Sequence, residues 1–267
     1  MNRLCTSGLA VLLAAGLNSH GQDWSRARLA ESPGHLEWVD VKHNGRVVRC
    51  FVAYPQGTAK TTAVVLVHEL FGLSDWTREV ADELAEAGYL AMAPDMLSGS
   101  GPEGGGSAAI KGTTDLKTAM ASLTPARVNA DLNAAVRYVA QLPAANGKVT
   151  AVGFSWGGTE TFRLATNTQD LKAACVFYGI AAGQEQEFVR MKCPVFGFYA
   201  ELDHPVARTV PQTREWMEKA GKTFEPVTYT NANRAFMRFG SMPNATGPNK
   251  DAHDEAWKRL TDLLKKI

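Results

Sequence analysis

Lys148-Val149-Thr150-Ala151-Val152-Gly153-Phe154-Ser155-Trp156-Gly157-Gly158 is the stretch that decides the fold. Its opening residues are an apolar, β-branched run suited to a buried strand. Residues 156–167 then read as a helix. Between them stands Gly153-Phe154-Ser155-Trp156-Gly157, a G-x-S-x-G match in strand–turn–helix context. Such a turn holds its serine in a strained backbone conformation at the carboxyl end of a strand. The glycines let strand and helix approach closely. The hydroxyl then lies beside a helix N-terminus whose free N–H groups stabilise an oxyanion.

Outward from this turn the chain alternates strands and helices. Residues 36–54 alternate as strands around His43-Asn44-Gly45, a hairpin signal. Residues 62–68 are a continuous apolar run. A helix is expected over 75–87, closed by Gly88, and a strand over 89–93. Residues 98–107 are glycine-rich and read as a flexible loop. Residues 127–142 carry Val128, Leu132, Ala135, Val136 and Val139 on one helical face. After the serine turn come a strand at 171–178 and a short polar helix. A strand at 194–199, a helix at 206–220, a strand at 224–230 and a helix at 252–267 complete the order. Strands alternating with helices predict an α/β domain with a mainly parallel sheet covered on both faces.

Residues 1–21 read as an export signal: Arg3, a short apolar h-region at 9–17, and small residues Ser19 and Gly21 before a cut ahead of Gln22. The expected domain is then 22–267, in a periplasmic or secreted protein. The chain has 28 basic and 27 acidic residues. No basic tract supports nucleic-acid binding, and no segment after residue 21 is long and apolar enough to span a membrane. Cys50, Cys175 and Cys193 lack metal-ligand spacing, and buried free thiols are the better reading. Nothing in the pattern asks for a metal or cofactor.

A serine nucleophile on this scaffold is followed in chain order by an acid and a histidine, each after a late strand. Asp203 occupies the acid position. The histidine position falls in Asn231-Ala232-Asn233-Arg234-Ala235-Phe236, and it holds Arg234. The chain resembles the dienelactone hydrolase family of α/β-hydrolases over nearly all of residues 22–267. Val67-His68-Glu69-Leu70-Phe71-Gly72, Ala93-Pro94-Asp95-Met96, the serine turn and Ala235-Phe236-Met237-Arg238 carry that resemblance. It implies a small ester or lactone substrate and catalytic positions at Ser155, Asp203 and Arg234. It also implies oxyanion donors at the N–H groups of Leu70 and Trp156, with Glu69 and Arg238 beside the substrate. Two departures stand out: the family's nucleophile is commonly cysteine, and its histidine is arginine here.

Arginine has no acceptor and stays protonated, so it cannot serve the serine as a base. Glu69, His204 or His253 are the candidates to replace it, and His68 reads as structural. Two functions remain open on the sequence: a hydrolase with weak or unconventional base chemistry, and a catalytically silent binding protein that keeps the pocket. A transferase on the same scaffold has no feature in its favour.

Overall fold

The computed structural model describes residues 23–267; the expected export signal lies outside them. The elements run α1 (Asp23–Glu31), β1 (His35–His43), β2 (Arg46–Tyr54), β3 (Thr61–Val67), α2 (Asp75–Glu86) and β4 (Leu90–Pro94). Next come α3 (Thr113–Ala121), α4 (Pro125–Ala140), β5 (Ala145–Phe154), α5 (Trp156–Asn167), β6 (Ala173–Phe177) and β7 (Val195–Ala200). The chain ends with α6 (His204–Ala207), α7 (Val210–Lys219), β8 (Phe224–Tyr229), α8 (Phe236–Gly240) and α9 (Pro248–Leu264). The strands form an eight-stranded sheet in the order β1-β2-β4-β3-β5-β6-β7-β8. β1 pairs antiparallel with β2, and β2 antiparallel with β4; β3 to β8 are mutually parallel. This is the expected α/β class and the α/β-hydrolase arrangement.

Successive side chains of the parallel strands feed two cores. Ala63, Val65 and Val67 of β3 join the core under α4 and α5, with Val128, Leu132 and Phe162. Val64 and Leu66 point to the other side, under α2 and α9, with Trp76, Leu84 and Leu260. Burial on both faces is why these strands read as unbroken apolar runs rather than as alternation. The β1–β2 hairpin turns through Asn44 at φ 46° and Gly45 at φ 73°, a pair of left-handed residues that suits the twist of the strands.

Three details differ from the sequence reading. The helix expected over 206–220 is broken into α6 and α7, each with proline in its first turn (Pro205 and Pro211), where its missing N–H costs nothing. α1, α3 and α8 are additional helices. The glycine-rich segment is pinned rather than free. Asp95 accepts from the N–H groups of Leu97 (3.0 Å) and Ser107 (2.7 Å) and from the Ser107 hydroxyl (2.6 Å). The Ser107 oxygen in turn accepts from Leu73 N–H at 2.9 Å, which fastens that segment to the turn after β3.

Candidate active site

β5 is central, and the loops at the carboxyl ends of β3, β5, β7 and β8 carry the residues singled out above, the place where open α/β sheets present ligand sites. Ser155 sits at φ 56°, ψ −113°, the strained conformation of a nucleophile turn. Its N–H donates to Phe177 O at 2.9 Å, and its carbonyl accepts from Thr159 N–H at 3.2 Å. Close packing leaves no alternative to glycine nearby. A Cβ on Gly157 would stand 2.1 Å from Val67 O, so the first turn of α5 rests directly on the end of β3. That contact brings the N-terminus of α5, with Trp156, to the segment carrying His68, Glu69 and Leu70. The His68 ring stacks on Trp156 with centroids 5.5 Å apart.

Asp203 follows β7 and is buried. Arg234 follows β8 and is half exposed, with 49% of its side chain open. Its Nη2 donates to Ser155 Oγ at 3.1 Å, and its Nε lies 3.7 Å from Asp203 Oδ2. Serine, arginine and aspartate are thus joined in the order in which serine, histidine and aspartate would be expected. The Asp203 contact is an electrostatic approach rather than a hydrogen bond, and burial outweighs the arginine, raising the carboxyl above its ordinary value. The loop that presents Arg234 is fixed from both sides. Leu202 N–H donates to Ala232 O at 3.0 Å, Asn231 N–H to Glu201 Oε2 at 2.8 Å, and Asn233 N–H to Asn249 Oδ1 at 2.8 Å.

The sequence profile of the dienelactone hydrolase family matches residues 48–267. The chain belongs to the dienelactone hydrolase family. A putative carboxymethylenebutenolidase of Methylorubrum extorquens is 28% identical over 240 residues, covering 85% of this chain and 79% of that protein. A probable 2-oxo-3-(5-oxofuran-2-ylidene)propanoate lactonase of a Bradyrhizobium species is 27% identical over 214 residues, covering 75% and 84%. Among solved structures, a putative dienelactone hydrolase from Klebsiella pneumoniae superposes with a TM-score of 0.76 at 24% identity, over 88% of this chain and 99% of that one. That last likeness speaks for the fold.

Within this family member, Glu69 and Arg238 form a buried pair, Arg238 Nε to Glu69 Oε2 at 2.8 Å. Arg238 also lies over the Phe239 ring, 4.7 Å from its centroid. Arg238 is therefore buried, and its charge is already matched by Glu69. His68 is structural: it is fully buried, its Nδ1 bonds Glu69 O at 2.8 Å, and its Nε2 accepts from Met96 N–H at 3.2 Å. That arrangement needs the neutral ring with the proton on Nδ1, and burial lowers its pKa accordingly. Among the described hydrogen bonds, none joins Ser155 to a histidine. His204 opens α6 on the surface, and His253 bonds Asp254 Oδ1 at 2.9 Å.

Tyr178 is a site neighbour that sequence reasoning passed over. It follows β6, which pairs with β5, at φ 41°. It is fully buried, yet its hydroxyl has no hydrogen-bond partner. Burial first, and then the charge of Glu69, push its pKa well above the ordinary value, while Arg238 and Arg234 pull against them. The available signal was Tyr178-Gly179 at the carboxyl end of the strand next to β5, but a tyrosine after a strand is common and marks no site by itself.

Proposed function

We propose that this chain hydrolyses small esters or lactones through an acyl-enzyme on Ser155, with the rate limited by Arg234 in the histidine position. The observation that carries the reading is the strained Ser155 turn at φ 56°, ψ −113°, kept at the N-terminus of α5. Relatives named as a carboxymethylenebutenolidase and a lactonase support the substrate class. Ser155 Oγ attacks the carbonyl carbon, and the N–H groups of Leu70 and Trp156 receive the oxyanion. The alcohol leaves, and water then releases the acid. Asp203 orients Arg234, and Glu69 with Arg238 forms the charged wall beside the substrate. Residues 1–21 support export to the periplasm or beyond the cell.

Arg234 favours the alkoxide electrostatically but accepts no proton. Glu69 is engaged by Arg238, so the Ser155 proton passes to solvent. The expected consequence is kcat/KM that climbs with pH between 7 and 9, without the plateau above about pH 6.5 that a histidine base produces. Arg234→His restores an acceptor. It should raise kcat/KM toward a short p-nitrophenyl ester by about 10²–10⁴-fold and introduce that plateau. Adding Ser155→Ala should remove the gain. Wild-type turnover that survives Ser155→Ala would end the serine reading.

A second reading, a silent binding protein, draws on the Arg234–Ser155 hydrogen bond, which occupies the nucleophile with a donor that has no base function. Under it the wild type is inactive at every pH, and activity arises only with Arg234→His.

A further inference from the structure

We propose that the Arg234 site is a receptor for an apolar monocarboxylate, held with its anion between the guanidinium and the N–H groups of Leu70 and Trp156. The proposal uses the pocket of the hydrolase reading but not its turnover. Four features of the site point to this ligand.

First, Arg234 is a cation with donors to spare. It is half exposed, and its hydrogen bond to Ser155 goes to a neutral hydroxyl. Asp203 faces the same guanidinium, but from 3.7 Å and without a hydrogen bond. A guanidinium offers five N–H donors in a plane that matches a carboxylate. Second, the neighbouring cation is not available: Arg238 is buried on Glu69 at 2.8 Å. An incoming anion therefore finds its charge partner at the nucleophile rather than deeper in the wall. Third, α5, twelve residues long, starts at Trp156 and presents unsatisfied N–H groups beside Ser155. The buried Tyr178 hydroxyl, itself without a partner, lies within the field of Arg234, Arg238 and Glu69.

The fourth feature is the rim, which sets the rest of the ligand. Leu70 after β3, Ile180 after β6, Leu202 after β7 and Phe239 in α8 are 37–43% exposed. Each stands one or two residues from Glu69, Tyr178, Asp203 or Arg238. Four large apolar side chains left open on the segments that carry these residues favour a ligand with a charged end and an apolar body. In the hydrolase reading that ligand has the chemistry of the acid product; in the silent reading it is the cargo.

Calorimetric titration with hexanoate, acetate and the uncharged hexanamide tests the proposal directly. Hexanoate should bind at least about tenfold tighter than hexanamide, and tighter than acetate. Arg234→Gln should weaken hexanoate about ten- to a hundredfold and leave hexanamide unchanged. Arg234→His should do the same at pH 8, where the imidazole is neutral. Leu202→Asn should weaken hexanoate but not acetate. Hexanoate binding no tighter than hexanamide, or unmoved by both Arg234 variants, overturns the anion site. Equal affinity for acetate and hexanoate overturns the apolar rim. None of these titrations depends on ester turnover, so this proposal and the hydrolase reading fail separately.

Discussion

At the scale of single residues, the site contains two arginines in opposite settings. Arg238 is buried on Glu69 and lies over the Phe239 ring, and Arg234 stands half in solvent with one donor on Ser155. The environments predict different costs. Arg238→Gln leaves an uncompensated buried carboxylate and should cost about 3–5 kcal/mol in urea unfolding. The double variant Glu69→Gln with Arg238→Gln should recover most of that loss, because two neutral amides bond each other. A double variant as unstable as the single one would show that the charge pair itself holds the wall. Arg234 is half exposed and meets buried Asp203 only from 3.7 Å without a hydrogen bond, so its substitutions should cost less stability than those of Arg238.

At the scale of elements, α1 docks on α2 through charge. Arg28 reaches Glu79, Glu83 and Glu86 at 3.8, 3.3 and 2.9 Å, and the Ser25 hydroxyl donates to Glu79 at 2.6 Å. Burial, with Glu79, Glu86 and Asp82 around it, lifts Glu83 from 4.5 to about 7 against the pull of Arg28. The raised folded-state value means the native form prefers the protonated carboxyl. The associated stability is complete below pH 4.5 and is lost as the pH rises through about 7. Glu83→Gln should therefore flatten the fall in unfolding free energy between pH 5 and 8 by about 1–3 kcal/mol relative to wild type. Parallel pH profiles for the two proteins would exclude Glu83 as the cause.

At the scale of the whole molecule, two cores meet across one sheet, and the thiols lie inside them. Cys50 and Cys175 are fully buried, and burial raises Cys175 to about 12 and Cys193 to about 11. Thiols held so far from thiolate, and away from solvent, are unreactive. In a Cys5→Ser variant no thiol should react with Ellman's reagent in buffer, and three should react in denaturant. A native-state reaction within minutes would mean that the sheet opens locally around one of them.

Much of the fold was legible in the chain. Residues 62–67 and 149–154 are almost wholly apolar on both alternating faces, which only a strand covered twice requires. Asn44-Gly45 marks its own turn, and the glycines around Ser155 mark theirs, because local sterics decide these positions. α1, α3 and α8 were not legible. α1 is held by Arg28 and a distant carboxylate cluster, and α8 follows Ala235 in a left-handed conformation at φ 61°, which no local propensity announces. At the site, the sequence by itself put Arg234 where chain order and strand count lead one to expect a histidine. Only the tertiary structure decided what that arginine touches. Ser155, Asp203 and Arg234 come from three separate strand ends, and Glu69 meets Arg238 across 169 positions of chain. Pairing at such separations depends on how the sheet orders its strands and packs its loops, and no local pattern encodes it.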